Sequence, residues 1–366
     1  MTDDDRRAVE LDVDELQDRL RRILENLGSP ADVAAEVSLH LVSAEQSGHA
    51  SHGVLRMAQY AREIDEGSID PAGRPTVVNR SGAATVLDAH HGFGHFSAAT
   101  AVDVAARSAR EHGVATVAIR DATHIGRLGE YAERLADLGL VSIIVAAAAG
   151  PGIGSMAPFG SSTGLPFLNT NPWAMGYPGA DAPIIFDAAM SVIPEGKVHA
   201  ALARGEDVPE GALLDRHGAP SMSPQDFLDG GTLTPLGGPG SGHKGYGLAL
   251  SAALLGGLAH ADAAAPQLNG LAQVRGADEG GRRTGGVTII ALDVTAFSDR
   301  GDEYAERTTR LSDAIRADGA LVPGDVERKA RRRADGTVTL PGETRRALEA
   351  LERGTDPSTS TSEETP

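Results

Sequence analysis

The chain contains no cysteine. That absence removes disulfides, thiolate nucleophiles and cysteine-ligated zinc or iron–sulfur centres. Aromatic residues make up only 4% of the 366 positions, so any core has to be filled by Ala, Val, Leu and Ile. Lysine is nearly missing: Lys197, Lys244 and Lys329 stand against thirty arginines among the 33 basic residues. No apolar core of a signal peptide stands in Met1-Thr2-Asp3-Asp4-Asp5-Arg6-Arg7. The longest apolar runs, 140–149 and 248–259, are shorter than a spanning helix requires. These features describe a soluble, cytoplasmic protein with no membrane partner. Basic charge is short as well. With 33 basic and 51 acidic residues the net charge is −18, and no basic stripe competes with that field, so nucleic acid is not an expected partner. The 41% of hydrophobic residues is enough for one large domain or two to three lobes.

What is present is concentrated in Gly48-His49-Ala50-Ser51-His52-Gly53-Val54-Leu55-Arg56. A hydroxyl, an imidazole and a guanidinium fall in one short segment, and the residues that follow read as helix. If that helix starts near Ser51, His52 and Arg56 stand i,i+4 apart on one face. The pattern suits a small 2-hydroxy or 2-oxo acid. An arginine fork clamps the carboxylate, and a histidine one turn away handles the proton on the neighbouring oxygen. Ser51 either hydrogen-bonds the imidazole or caps the helix. The competing reading is a capped surface helix with an incidental histidine.

Residues 11–27 read as an amphipathic helix closed by Gly28. Ser29-Pro30 opens a second helix, to about residue 47, with Ser as cap and Pro at the first position. A third covers 52–65. From about residue 75 the pattern alternates. Residues 76–78 and 84–88 form a hairpin, 96–112 a helix, 114–120 a strand, 127–138 a helix and 141–147 a strand. A Gly/Pro-rich loop spans 150–164. A short strand, 184–186, ends at Asp187, and 195–204 is helical. Residues 205–243 read as a long loop-rich stretch, which at that length is usually functional. After it come a helix of small residues over 246–258, an apolar strand over 286–294 and a helix over 302–317. The Ser/Thr/Glu/Pro-rich tail from residue 354 reads as disordered.

Gly92-Phe93-Gly94 follows a strand and opens a helix, as a dinucleotide fingerprint does. The third glycine is missing, and so is the acidic residue at the end of the next strand. Residues 237–244 do not match a phosphate-binding P-loop, because Gly242-His243-Lys244 breaks the required order. His124-Ile125-Gly126 lies between a strand and a helix, where side chains point into clefts. Lys197 and Lys244 both sit beside glycines, and Lys244 is placed in a Gly-rich loop before a helix, where an anion is favoured. Twelve histidines raise a metal reading, with His49/His52 and His90/His91/His95 as candidates. There is no His-Glu-x-x-His and no carboxylate at ligand spacing, so no metal is assigned.

Taken together, these segments resemble the malate/L-lactate dehydrogenase family that lacks the Rossmann fold. Its relatives include ureidoglycolate, sulfolactate and hydroxycarboxylate dehydrogenases and an imine-reducing branch. The resemblance runs from about residue 12 to residue 350. It rests on Gly48-His49-x-Ser51-His52-Gly53-x-x-Arg56, His124-Ile125-Gly126-Arg127-Leu128-Gly129-Glu130-Tyr131, Ala157-Pro158-Phe159-Gly160 and Asn169-Thr170-Asn171-Pro172. It continues in Phe186-Asp187-x-Ala189-x-Ser191, Gly196-Lys197, His243-Lys244-Gly245-Tyr246-Gly247 and Val322-Pro323-Gly324. Each motif alone is weak; eight in the right order are specific. The His-Ile-Gly-Arg-Leu-Gly form is most similar to the hydroxycarboxylate branch.

The resemblance implies an α/β (α+β) fold: a non-Rossmann, NAD(P)-binding mixed sheet with helices, plus a helical N-terminal lobe. It divides the chain into a helical lobe over 1–74, a cofactor-binding domain over 75–330, a helical segment packing back over 331–353 and a tail over 354–366. Ser51 then supports His52, the family's general acid/base, and Arg56 binds the substrate carboxylate. His124, Ile125 and Gly126 line the nicotinamide site, and in some relatives this histidine is the proton acceptor instead. Thr170 falls where relatives touch substrate. Asp187, Ala188 and Ala189 match a cofactor-contacting strand end, His243 and Lys244 a phosphate or nicotinamide contact, and Val322, Pro323 and Gly324 a late cofactor loop. Lys197, carried over with the catalytic set, stands where the imine reductases have Asp.

Two departures are visible. Four alanines over 146–149 replace a polar stretch where relatives hydrogen-bond the cofactor, and the loop before His243 is enlarged. The implied activity is hydride transfer between NAD or NADP and a small 2-hydroxy or 2-oxo acid, in a homodimer. The alternatives are an imine reductase on the same scaffold and an inactive or metal-binding relative.

Overall fold

Helix periodicity in the first seventy residues produces the expected helices, but a strand precedes them. In the computed structural model, which describes residues 8–149, 154–259 and 284–355, β1 (Val9–Asp12) leads into α1 (Val13–Asn26). Asp12 caps α1 by accepting from the backbone N–H groups of Asp14 and Glu15 at 2.9 and 3.1 Å. α2 (Ala31–Gln46) follows, without a side-chain cap, and its cap position is Pro30 rather than Ser29. α3 spans Arg56–Asp65. The buried faces of the three helices form a core of Leu16, Leu20, Ile23, Leu24, Val37, Leu41, Met57 and Tyr60.

The helix expected over 52–65 is broken. Ala50–His52 form a separate 3-10 turn, and α3 starts only at Arg56. The break is at Gly53. Glu45 reaches from α2 to accept the Val54 N–H at 2.8 Å, and a Cβ on Gly53 would fall 2.3 Å from its Oε1. His52 and Arg56 therefore stand on either side of a bend and do not share one helical face.

The second half of the fold is a sheet. Its strands are β2 (Thr76–Ser81), β3 (Ala84–Asp88), β4 (Val114–Ala122), β5 (Leu140–Ala149), β6 (Trp173–Tyr177), β7 (Ile184–Ala188) and β11 (Thr284–Asp293). Their order is β2-β3-β4-β11-β5-β6-β7. Only β3 and β4 run parallel, joined by α4 (Gly94–His112). A dinucleotide-binding Rossmann sheet is largely parallel, so this sheet is a different one. The glycines that mimic its fingerprint serve packing: a Cβ on Gly92 would meet the Gly73 carbonyl at 2.4 Å, and one on Gly94 the Thr123 carbonyl at 2.4 Å. β11 lies at the centre, pairing with β4 on one side and β5 on the other. α4 and α5 (Leu128–Asp137) cover the sheet core, which is rich in alanine.

β6 falls where no strand is expected. It is short and carries Gly176, a residue that weakens strands. The glycine is required because α5 packs so close that a Cβ there would lie 2.5 Å from the Ala132 carbonyl.

The stretch over 205–243 is more ordered than its composition suggests. After α6 (Glu195–Arg204) it holds β8 (Leu213–Leu214), β9 (Pro220–Ser221), α7 (Pro224–Leu228) and β10 (Thr232–Leu233), a small sheet over a third core. α8 begins at Gly238 and runs to Gly256, eight residues earlier than the expected start. Lys244 therefore lies inside a helix, not in a loop before one. Tertiary packing overrides the turn-like Gly-Pro-Gly-Ser-Gly run: a Cβ on Gly245 would lie 2.3 Å from the Leu236 carbonyl, so small residues let the helix sit down on its neighbours. α9 (Tyr304–Ala317) and α10 (Asp325–Ala334) lead to β12 (Thr337–Leu340), which pairs antiparallel with β1, and α11 (Gly342–Glu352) closes the chain. Val338, Leu340 and Leu348 join the core of α1–α3. Most of the predicted tail, 356–366, lies outside the described residues, as do 150–153 of the predicted loop. No described helix is long and apolar enough to cross a membrane.

Candidate active site

Between the helical lobe and the sheet lies a cleft of about 320 Å³. His52, His124, Ile125, Gly126 and Thr170 line it, together with Gln59, Glu63, Asn171 and the backbone around Ala146, Ala147 and Gly285. The lining comes from elements far apart in sequence: the 3-10 turn, α3, the β4–α5 junction, β5 and the segment before β6.

Two imidazoles face each other in it. His52 and His124 stack at 5.5 Å between ring centroids, inclined by 21°. Ser51 Oγ is 3.1 Å from His52 Nδ1, so the serine does hold the imidazole. Arg56 stands behind the turn, donating from Nε to the Ser51 carbonyl at 2.6 Å and from Nη1 to Gln59 Oε1. Tyr60, fully buried on α3, reaches His124 Nδ1 at 2.7 Å and His95 Nε2 at 3.3 Å. His95 in turn meets His40 edge-on at 4.8 Å, and His40 Nε2 accepts the Arg127 backbone N–H at 2.8 Å.

Burial dominates the electrostatics. Removal from water, and then the nearby Arg56 charge, push His52 down to about 3. His95 is likewise held at about 3, by burial first and then by His52. His124 and His40 lie well below the ordinary histidine value for the same first cause. Burial raises Tyr60. All four imidazoles are therefore neutral at pH 7. A neutral imidazole can accept a proton; on His52, with its own proton on Nδ1 and donated to Ser51 Oγ, Nε2 is the nitrogen left open for one.

The structure leaves other predicted residues away from the cleft. Lys197 is exposed on the first turn of α6, although its neighbour Gly196 packs on Ser51, where a Cβ would fall 2.9 Å from the serine Cβ. Asp187 accepts the Gly129 N–H at 2.7 Å, an anionic cap for α5, and burial raises its carboxyl. Ala188 and Ala189 follow it at the end of β7. His243 and Lys244 are exposed on α8, with the His243 ring 5.8 Å from Phe159. Val322, Pro323 and Gly324 dock on the sheet edge, where the Pro323 carbonyl accepts the Ile185 N–H at 3.1 Å. Of the histidines considered as ligands, His49 pairs with Glu327 at 3.2 Å and His90 with Thr76 at 2.8 Å. Among the described residues no group of three His, Asp or Glu is arranged to hold a metal.

Sequence reasoning did not single out Tyr60, His95 and His40 as a buried cluster, nor Gln59, Glu63 or Asn171. Tyr60 was legible in principle, four residues after Arg56 on one helical face. Asn171 is the sharpest of these. It is fully buried, lines the cleft, adopts a left-handed φ of 37°, and neither amide atom finds a partner among the described residues. A buried amide without partners calls for a reason, and a ligand with its own donor and acceptor supplies one. A nicotinamide carboxamide fits that description.

The comparisons with known proteins show the family and the fold. Residues 11–349 match the family described as malate/L-lactate dehydrogenase. The chain belongs to the malate/L-lactate dehydrogenase family. A malate dehydrogenase of Pyrococcus abyssi is 34% identical over 69% of this chain and 69% of its own. An L-sulfolactate dehydrogenase of Methanocaldococcus jannaschii is 32% identical over 86% of this chain and 88% of its own. Among solved structures, the delta1-piperideine-2-carboxylate reductase of Pseudomonas syringae superposes with a TM-score of 0.78 at 30% identity, covering 94% of this chain and 99% of that one.

Proposed function

We propose that this member of the family is an NAD(P)-dependent dehydrogenase of small 2-hydroxy acids, working reversibly on the corresponding 2-oxo acids. The stacked, neutral His52–His124 pair in a cleft beside Arg56 carries the reading. The nicotinamide, when bound, supplies the hydride acceptor or donor. Asn171 offers its unpartnered amide to the carboxamide, and the small-residue surface of Ala146, Ala147 and Gly285 offers space for the ring. Arg56 holds the substrate carboxylate through a charge-assisted hydrogen bond. In oxidation, His52 takes the hydroxyl proton; in reduction it returns it. Tyr60 holds His124 in place through Nδ1. A homodimer is supported by Leu248, Leu250, Leu254 and Leu258, which are all exposed on and just after α8.

Oxidation of NADH and of NADPH is followed in the presence of a panel of 2-oxo acids, with and without ammonia or methylamine. Turnover without amine is expected. Turnover that requires amine would instead place the protein with the imine reductases.

A further inference from the structure

Charge is unevenly placed along the cleft. Among the described residues no Lys or Arg lines it, while two carboxylates do, Glu63 and Glu195. Arg56 stands beside it at the His52 end, bonded to the Ser51 carbonyl. Glu63 lies seven residues further along α3, so the two side chains share a face and their Cα atoms are separated by about 10.5 Å of helix rise. Gln59 bridges them, accepting from Arg56 Nη1 and donating from Nε2 to Glu63 Oε1 at 2.9 Å. The row runs from a positive to a negative end with a neutral amide between. Glu63 is half-buried and forms no ion pair with any described residue. Its carboxylate keeps acceptor capacity beyond the single Gln59 bond.

Of this row Gln59 and Glu63 line the cleft and Arg56 does not, so a 2-oxo acid whose carboxylate reaches Arg56 can extend its tail toward Glu63. A second anion there meets Glu63, with Glu195 on the same cleft. A cation there meets a carboxylate that no described residue pairs with. We propose that the substrate is a monocarboxylic 2-hydroxy or 2-oxo acid with a cationic tail, an amine or guanidinium, received by Glu63. The inference rests on the dehydrogenase reading above and adds the identity of the far end of the substrate.

The test compares kcat/KM of the full chain for 5-guanidino-2-oxopentanoate, pyruvate and 2-oxoglutarate, which differ in the charge of the tail. Wild type is expected to favour the guanidino acid over 2-oxoglutarate by roughly tenfold or more. In Glu63→Gln, which keeps the shape and an oxygen for Gln59, the guanidino-to-pyruvate ratio of kcat/KM falls about tenfold. The ratio cancels any general loss of folded protein. Preference for 2-oxoglutarate in wild type, or an unchanged ratio in Glu63→Gln, overturns the inference while turnover of any of the acids leaves the dehydrogenase reading standing. Absence of turnover with all three overturns the inference, and the wider panel of 2-oxo acids then decides the dehydrogenase reading.

Discussion

On one side of the cleft, His52 and His124 line the opening half-buried, and Tyr60, His95 and His40 crowd behind them where water does not reach. On the other, Ala146, Ala147, Ala148, Gly285 and Val287 present no polar side chain. Both walls are closely packed, with opposite consequences. Burial on the first wall fixes protonation state, because a charged imidazole there would lose its hydration without gaining a carboxylate partner. Small side chains on the second wall fix shape. α8 approaches β5 so closely that a Cβ on Gly256 would lie 2.8 Å from the Ala147 Cβ. The histidine wall controls where protons reside, and the alanine wall controls what fits against them.

The largest expected effect comes from breaking the histidine wall at His52, the proposed acid/base. His52→Ala should lower kcat by roughly 10²–10⁴-fold, the usual range for a lost general acid/base. His124→Ala is measured beside it, and the larger loss identifies the main proton acceptor. In the oxidation direction the base must be unprotonated. With His52 at about 3, lowering the pH from 8 to 5 should not cost kcat/KM through this group. A fall centred near 6.5 would show that the imidazole is not held neutral.

How far these walls were readable in the sequence depends on how local their causes are. His124 was legible because a strand and a helix signal bracket it, and the structure places it between β4 and α5. Ser51, His52 and Arg56 were legible as a set, but the bend between them was not. It depends on Glu45 reaching across from α2, a contact no spacing rule contains. The mixed sheet was legible in most of its strands. β6 was missed because its glycine answers to α5, and the start of α8 because packing overrides a turn-like composition. The Tyr60–His95–His40 cluster draws on α2, α3 and α4. Periodicity says which face each helix buries, not which side chains meet once those faces are joined.

An intermediate effect concerns stability against acid. His95 is held at about 3 when folded and titrates near 6.5 when the chain is unfolded. Between those values the unfolded state binds a proton that the folded state refuses, so stability falls as pH is lowered through this window. The slope approaches about 1.4 kcal/mol per pH unit for each such histidine, and His52 adds to it in the same direction. Urea unfolding at pH 7.5, 6 and 5 should show a midpoint that drops with each step, and His95→Gln should flatten the drop. A midpoint equal at pH 5 and 7.5 would contradict the neutral burial of these rings.

The smallest effect sharpens the alanine wall. Ala146 lies on β5 opposite Val287 of β11, its backbone N–H directed to the Pro172 carbonyl at 3.4 Å, and its side chain is half-buried on the cleft. Relatives implied by the sequence resemblance carry polar side chains in this stretch. A threonine suits a strand position and adds one hydroxyl to the cleft without a long side chain. If the alanine wall lies against the cofactor, Ala146→Thr should tighten NAD(P)H binding by about 0.5–1.5 kcal/mol, the net worth of one hydrogen bond. Ala146→Val has nearly the same shape and lacks the hydroxyl, so it separates bonding from bulk. A gain with Thr and none with Val assigns the effect to the hydrogen bond. Equal losses in both would mean that the wall acts by shape alone, and that the four alanines are there to make room.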